Sequence, residues 1–145
     1  RKLRHMSKIA VVYWSSTGNT EAMAQAVVEG AKHAGAEAEL FTAAEFDGAK
    51  MDEFDAVAFG CPAMGAEELE DGEFAPMFET CESKLSGKKI ALFGSYGWGD
   101  GEWMRTWEEN CRDKGANLVC DSVICQETPD DEALSACRSL GEALA

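Results

Sequence analysis

The chain has 145 residues, 46% of them hydrophobic, which is enough for one domain with a sizeable core. Thirteen Lys and Arg against 27 Asp and Glu leave a formal net charge of -14; this repels nucleic acid and anionic membrane, and either favours partners with basic docking faces or serves solubility alone. No apolar run reaches transmembrane length and no signal-peptide pattern opens the chain, so the expected location is cytoplasmic.

Residues 1–6, Arg-Lys-Leu-Arg-His-Met, are basic, unlike the rest of the chain; they read as a remnant of expression, leaving residues 7–145 as a single domain. Residues 8–13 form a near-continuous apolar run, the pattern of a strand covered on both faces of a parallel sheet. It leads through Ser15-Ser16-Thr17-Gly18-Asn19-Thr20 into helical spacing over residues 18–34, with Gly35 as a C-terminal stop. A strand that turns at once into a helix leaves the first helical N–H groups unpaired around one spot, where an anion belongs. The loop has no Lys or Arg, so it is not the G-x-x-x-x-G-K-[ST] loop that grips a nucleoside triphosphate. Its hydroxyls, the Asn19 amide and the backbone N–H groups suit a single terminal phosphate. A Ser/Thr helix cap with nothing bound is the other reading.

Residues 36–41 read as a second strand, 43–52 as a connector and 54–60 as a third strand that ends in Cys61-Pro62-Ala63-Met64-Gly65. A helix is predicted over 74–83, a fourth strand over 88–94, a helix over 102–114 stopped by Gly115, a fifth strand over 118–124 and a last helix over 130–145, capped near Asp130 or Thr128. Five strands alternating with helices predict an α/β fold with an open parallel sheet and helices on both faces. Ligands of such sheets bind beyond the carboxyl ends of the strands, where strand order reverses. That rule gathers three loops, residues 15–20, 61–71 and 95–101.

In the last of these, Ser95-Tyr96-Gly97-Trp98-Gly99-Asp100-Gly101 sets a tryptophan between glycines: the glycines allow close backbone approach, and the indole offers a face for an aromatic ring. Met64 can cover the opposite ring face, although a lone methionine is as readily a core residue. Gly65 takes positive φ without strain, so its peptide can exist in two turn types of similar energy. The six cysteines (61, 81, 111, 120, 125 and 137) show no C-x-x-C, zinc or ferredoxin spacing and read as reduced, mostly buried thiols. With only His5 and His33 present, histidine acid/base chemistry has little support.

On three stretches, V-V-Y-W-S-S-T-G-N-T-E-A-M-A, G-C-P-A-M-G-A-E-E-L-E and A-L-F-G-S-Y-G-W-G-D-G-E-W-M, the chain from Lys8 onward resembles the flavodoxins, in particular the short-chain ones that lack the insertion in the last strand. The resemblance implies a five-stranded sheet of order 2-1-3-4-5 and tightly but non-covalently bound FMN. The implied activity is low-potential one-electron transfer between cytosolic redox enzymes, with the capacity to substitute for ferredoxin, by a monomer that is not an enzyme. Its implied partners are reductases and ferredoxin-dependent enzymes.

The same resemblance assigns Ser15, Ser16, Thr17, Gly18, Asn19, Thr20 and Ser95 to the phosphate, and Met64 and Trp98 to the two faces of the isoalloxazine. Backbone groups of Gly65, Ala66, Gly97 and Gly99 would meet the polar edge of the ring, and Glu67 would accept from its N3–H, with Pro62, Ala63 and Tyr96 completing the pocket. Turning the carbonyl of the Gly65 peptide towards the ring would favour the neutral semiquinone. Two positions depart from the pattern: Ala66 stands where relatives often carry a polar or acidic residue, and Pro62 where some carry serine. Glu67, Glu68, Glu70, Asp71, Asp100 and Glu102 surround the expected ring, so adding negative charge there is disfavoured. A quinone or flavin reductase on the same scaffold is the competing reading, opposed by the compact chain and missing insertions. A phosphoacceptor domain of similar topology needs aspartates where Trp14-Ser15 and Gly60-Cys61 stand, and is set aside.

Overall fold

The computed structural model describes residues 6–145; residues 1–5, most of the basic leader, lie outside the described residues. The elements run β1 (Lys8–Tyr13), α1 (Asn19–His33), β2 (Glu37–Thr42), α2 (Gly48–Met51), β3 (Ala56–Gly60), α3 (Phe74–Cys81), β4 (Lys89–Tyr96), α4 (Glu102–Asp113), β5 (Asn117–Leu118), β6 (Val123–Gln126) and α5 (Asp131–Leu144). All pairings are parallel, in the order β2-β1-β3-β4 with β5 and β6 sharing the far edge of β4, so the expected 2-1-3-4-5 order holds. β1 beyond Lys8 and the whole of β3 are buried, because helices cover both faces and their apolar runs need no polar alternation.

The fifth strand departs from expectation. Ile90 faces Leu118 and Phe93 faces Val123, so the two residues between them on β4 oppose four, 119–122, on the edge strand. Val119 N still donates to the Ile90 carbonyl at 3.1 Å, but residues 120–122 leave the ladder as a bulge, and the Ser122 hydroxyl donates instead to the Glu108 carboxylate on α4. The strand consequently ends at Gln126 rather than residue 124. The connector over 43–52 is also more ordered than expected. Thr42 and Glu45 form a capping box over a 3-10 turn at Ala43–Glu45, and Asp47 accepts from Lys50 N at 3.1 Å to start α2. Asp130, rather than Thr128, caps α5, accepting from Ala133 N at 2.8 Å.

Two apolar clusters fill the space on either side of the sheet. One joins Val12, Phe59 and Leu92 to Met51, Phe74, Phe78, Trp103 and Trp107; the other joins Ile9, Val11 and Phe93 to Met23, Val27, Cys137, Leu140 and Leu144. On the second face α1 and α5 touch backbone to backbone at glycine: a Cβ on Gly30 would lie 1.9 Å from the Arg138 carbonyl oxygen, and one on Gly141 would lie 2.1 Å from that of Val27. The thiols of Cys61, Cys81, Cys111 and Cys137 are free and buried, and burial pushes each up to about 12. They are core filling rather than nucleophiles. No helix among the described residues is long and apolar enough to cross a membrane.

Candidate functional site

Beyond the carboxyl ends of β1, β3 and β4 lies a cleft of about 360 Å³ lined by Ser15, Ser16, Thr17, Asn19, Thr20, Pro62, Ala63, Met64, Ser95, Tyr96 and Gly97, together with Glu127 and Thr128. It occupies the point where strand order reverses between β1 and β3. β1 ends at Tyr13, and Gly18, at φ 94°, turns the chain into α1 as no Cβ-bearing residue does without strain. Within that turn Ser15 Oγ accepts from Gly18 N at 3.1 Å and Thr17 Oγ1 from Asn19 N at 3.4 Å. Both hydroxyls keep their own protons to donate. Thr20 and Ser95, each almost fully buried, pair hydroxyl to hydroxyl at 3.2 Å and join the loop after β1 to the end of β4.

No Lys or Arg lines the cleft among the described residues. What the walls offer is O–H groups and the dipole of a fifteen-residue helix, a donor set that fits a phosphate bound without a counter-charge. Glu21, in the first turn of α1, is drawn aside by the Tyr13 hydroxyl, which donates to it at 3.3 Å; burial, then the Glu21 charge, pushes the Tyr13 phenol up.

Gly18, Gly65, Ala66, Glu67, Trp98 and Gly99 stand around the cleft rather than in its wall. Met64 and Glu68 exchange backbone hydrogen bonds of 2.8 and 2.9 Å, closing a tight loop in which Gly65 has φ 52°, as expected, and Glu67 has φ 56°, which nothing in its residue type announced. Trp98 is 66% exposed on its glycine-flanked loop. Gly97 is held by Gln126, whose Nε2 donates to its carbonyl at 3.2 Å. The Glu67 carboxylate reaches to α4, where one of its oxygens, Oε1, accepts from Glu102 N at 3.0 Å.

Glu127 and Thr128 line the cleft without having been legible as site residues. The bulge lengthens the fifth strand, so the loop after β6 comes level with Tyr96, to whose carbonyl Glu127 N donates at 2.7 Å. The carboxyl-end rule, applied to the fifth strand as to the others, was the available signal.

The loop after β3 is anchored by Glu70, whose carboxylate accepts from the backbone N–H of Gly72, Glu73 and Phe74 at 2.7, 2.8 and 2.8 Å at the start of α3. Burial pushes its pKa up, but the three donors outweigh it, and the net shift is downward. A carboxyl held below its unfolded value stabilises the fold above that value and loses the contribution as pH falls through the folded one. The chain is therefore expected to lose stability as pH drops below about 4.3, and Glu70→Gln to flatten part of that acid limb in urea titrations at stepped pH. An unchanged limb would remove Glu70 from this role.

The sheet order and the cation-free, hydroxyl-lined cleft at its switch point define a doubly wound α/β protein of the flavodoxin-like class, built to take a phosphorylated ligand. The flavodoxin family model matches residues 11–141, and the chain belongs to that family. Flavodoxins are themselves one of the cases from which the switch-point rule is drawn. The Megasphaera elsdenii flavodoxin is 45% identical over 140 residues, covering 94% of this chain and 98% of that one. The Clostridium beijerinckii flavodoxin is 43% identical over 135 residues, covering 93% and 97%. The solution structure of two-electron reduced Megasphaera elsdenii flavodoxin matches with a TM-score of 0.86, over 94% of this chain and 97% of that one. Flavodoxins are FMN-binding electron-transfer proteins rather than enzymes, so the reductase reading falls away.

Proposed function

We propose that residues 7–145 act as one folded unit, a monomeric low-potential carrier that moves single electrons between cytosolic redox proteins and can stand in for ferredoxin. The observation that carries this reading is the cleft where O–H groups, helix dipole and small loop residues meet with no cationic side chain among the described residues. In it Ser15, Ser16, Thr17, Gly18, Asn19, Thr20 and Ser95 hold the FMN phosphate, with Thr128 beside them. Met64 and Trp98 flank the ring system. Backbone groups of Gly65, Ala66, Gly97 and Gly99 meet its polar edge, Glu67 accepts from its imide N–H, and Pro62, Ala63 and Tyr96 close the sides. FMN, when bound, would supply the one-electron chemistry; the residues bind it and orient it.

The net charge of -14 gives the rim an acidic field that steers reductases and ferredoxin-dependent enzymes with basic docking faces. The test is titration of the FMN-free protein with FMN and with riboflavin. Losing two or more charge-assisted hydrogen bonds at the phosphate makes riboflavin bind about a hundredfold more weakly. Equal affinities would overturn the phosphate assignment, and a purified protein that neither carries nor takes up FMN would overturn the whole reading. The rate of reduction by a basic reductase should fall as salt shortens the screening length below about 8 to 10 Å.

A further inference from the structure

Glu67 sits in the left-handed region at φ 56°, a conformation unfavourable for a residue with a Cβ unless the surroundings hold it there. Its carboxylate accepts from the backbone N–H of Glu102, the first residue of α4, at 3.0 Å. The same carboxylate packs on Gly99, where a Cβ would lie 2.7 Å from Glu67 Cδ. Three otherwise separate features meet at one contact: a strained backbone, a glycine whose Cβ would displace the Glu67 carboxylate, and the open N-terminus of a twelve-residue helix. That contact joins the loop carrying Met64 to the loop carrying Trp98, and no other side-chain hydrogen bond links residues 64–68 to residues 97–102 among the described residues.

We propose that Glu67 and the Glu102 N–H form a clasp that sets the gap between Met64 and Trp98 before the flavin enters, which makes Glu102, through its backbone, a positioning residue for FMN. The inference rests on the reading that the ring lies between Met64 and Trp98. A gap fixed in advance spares the ligand the cost of ordering two loops, so the clasp appears as affinity. Asp100 and Glu102 bring their carboxylates within 4.8 Å of that of Glu67, so the clasp also holds Glu67 against like charge that would otherwise swing it outward.

Two variants at one position separate the hydrogen bond from the charge. Glu102→Pro removes the N–H at a helix position that tolerates proline, whereas Glu102→Gln keeps the N–H and removes the same charge. Glu67 is intact in both but is held only in E102Q, so the amide of the FMN-free protein reads the clasp apart from any contact of Glu67 with the ring. E102P is expected to bind FMN about tenfold more weakly than E102Q, the worth of one hydrogen bond to a charged acceptor. In FMN-free wild-type protein the Glu102 amide should be protected from hydrogen exchange, and Glu67→Ala should abolish that protection. Should E102P fail to fold, Gly99→Asn serves in its place: asparagine accepts positive φ, its Cβ displaces the carboxylate, and the amide of Glu102 reports the loss. Equal FMN affinities for E102P and E102Q, or an amide equally exposed with and without the Glu67 carboxylate, would overturn the clasp. A wild type that binds no FMN would instead overturn the functional reading, whatever the amide shows.

Discussion

Gly30→Ala is expected to destabilise the chain by about 2 kcal/mol, although glycine to alanine inside a helix ordinarily gains close to 1 kcal/mol. The added Cβ would lie 1.9 Å from the Arg138 backbone oxygen, a contact neither helix can relieve by turning a side chain. α1 and α5 must move apart, and the movement loosens Val27 and Ala31 against Leu140 and Leu144 on the buried face. The overpacking cost of about 3 kcal/mol then exceeds the helix-propensity gain. For a chain of this size the net loss corresponds to a midpoint roughly 4 to 8 °C lower in a thermal melt followed by far-UV circular dichroism. Gly141→Ala, aimed at the Val27 carbonyl from the opposite helix, should behave alike. The double variant should lose less than the sum, since helices already parted have room for the second methyl. A melting point that holds or rises would show that the two backbones are not in contact.

Both glycines lie within stretches whose spacing predicts helices, yet neither could be read as a helix contact because that pairing is non-local. What could be read was whatever a local pattern determines. The continuous apolar runs of β1, β3 and β4 announce strands covered on both faces, and Ser15 to Thr20 announce a helix start open to an anion. The bulge in the fifth strand was hidden for the same reason. Leu118 to Ile124 carries a fair strand pattern, but its partner β4 is shorter between the matched pairs, so the excess leaves the ladder where Ser122 can reach Glu108. Thr42 and Glu45, three apart, were a legible capping signal at the start of the stretch read as a connector. Around the cleft, residue types identified the hydroxyl set and the exposed indole. They could not give the direction of the Glu67 carboxylate, which depends on Gly99 and Glu102 more than thirty residues away.

Trp98→Ala should weaken FMN binding by about 1 to 3 kcal/mol, roughly ten- to a hundredfold in Kd, the range for removing an aromatic platform from a stacked ring. Trp98 is 66% exposed and belongs to neither apolar cluster, so the FMN-free variant should melt within the small range of ordinary surface substitutions. That separation matters: a variant that loses affinity while keeping its melting point has lost a ligand contact, not a fold. Trp98→Phe keeps a smaller ring face on the same loop and should recover part of the loss, whereas a Leu of similar bulk should recover less. Titration read by the fluorescence of FMN itself avoids the change in protein emission. An unchanged Kd would take Trp98 out of the site and leave an exposed indole without a role. Measured on oxidised and on reduced cofactor, the same pair of titrations separates holding from tuning. Equal losses leave the reduction potential where it was, while each tenfold inequality shifts a one-electron couple by about 59 mV. Because Trp98 offers an uncharged face, the larger inequality is expected from the acidic neighbours Glu67, Asp100 and Glu102.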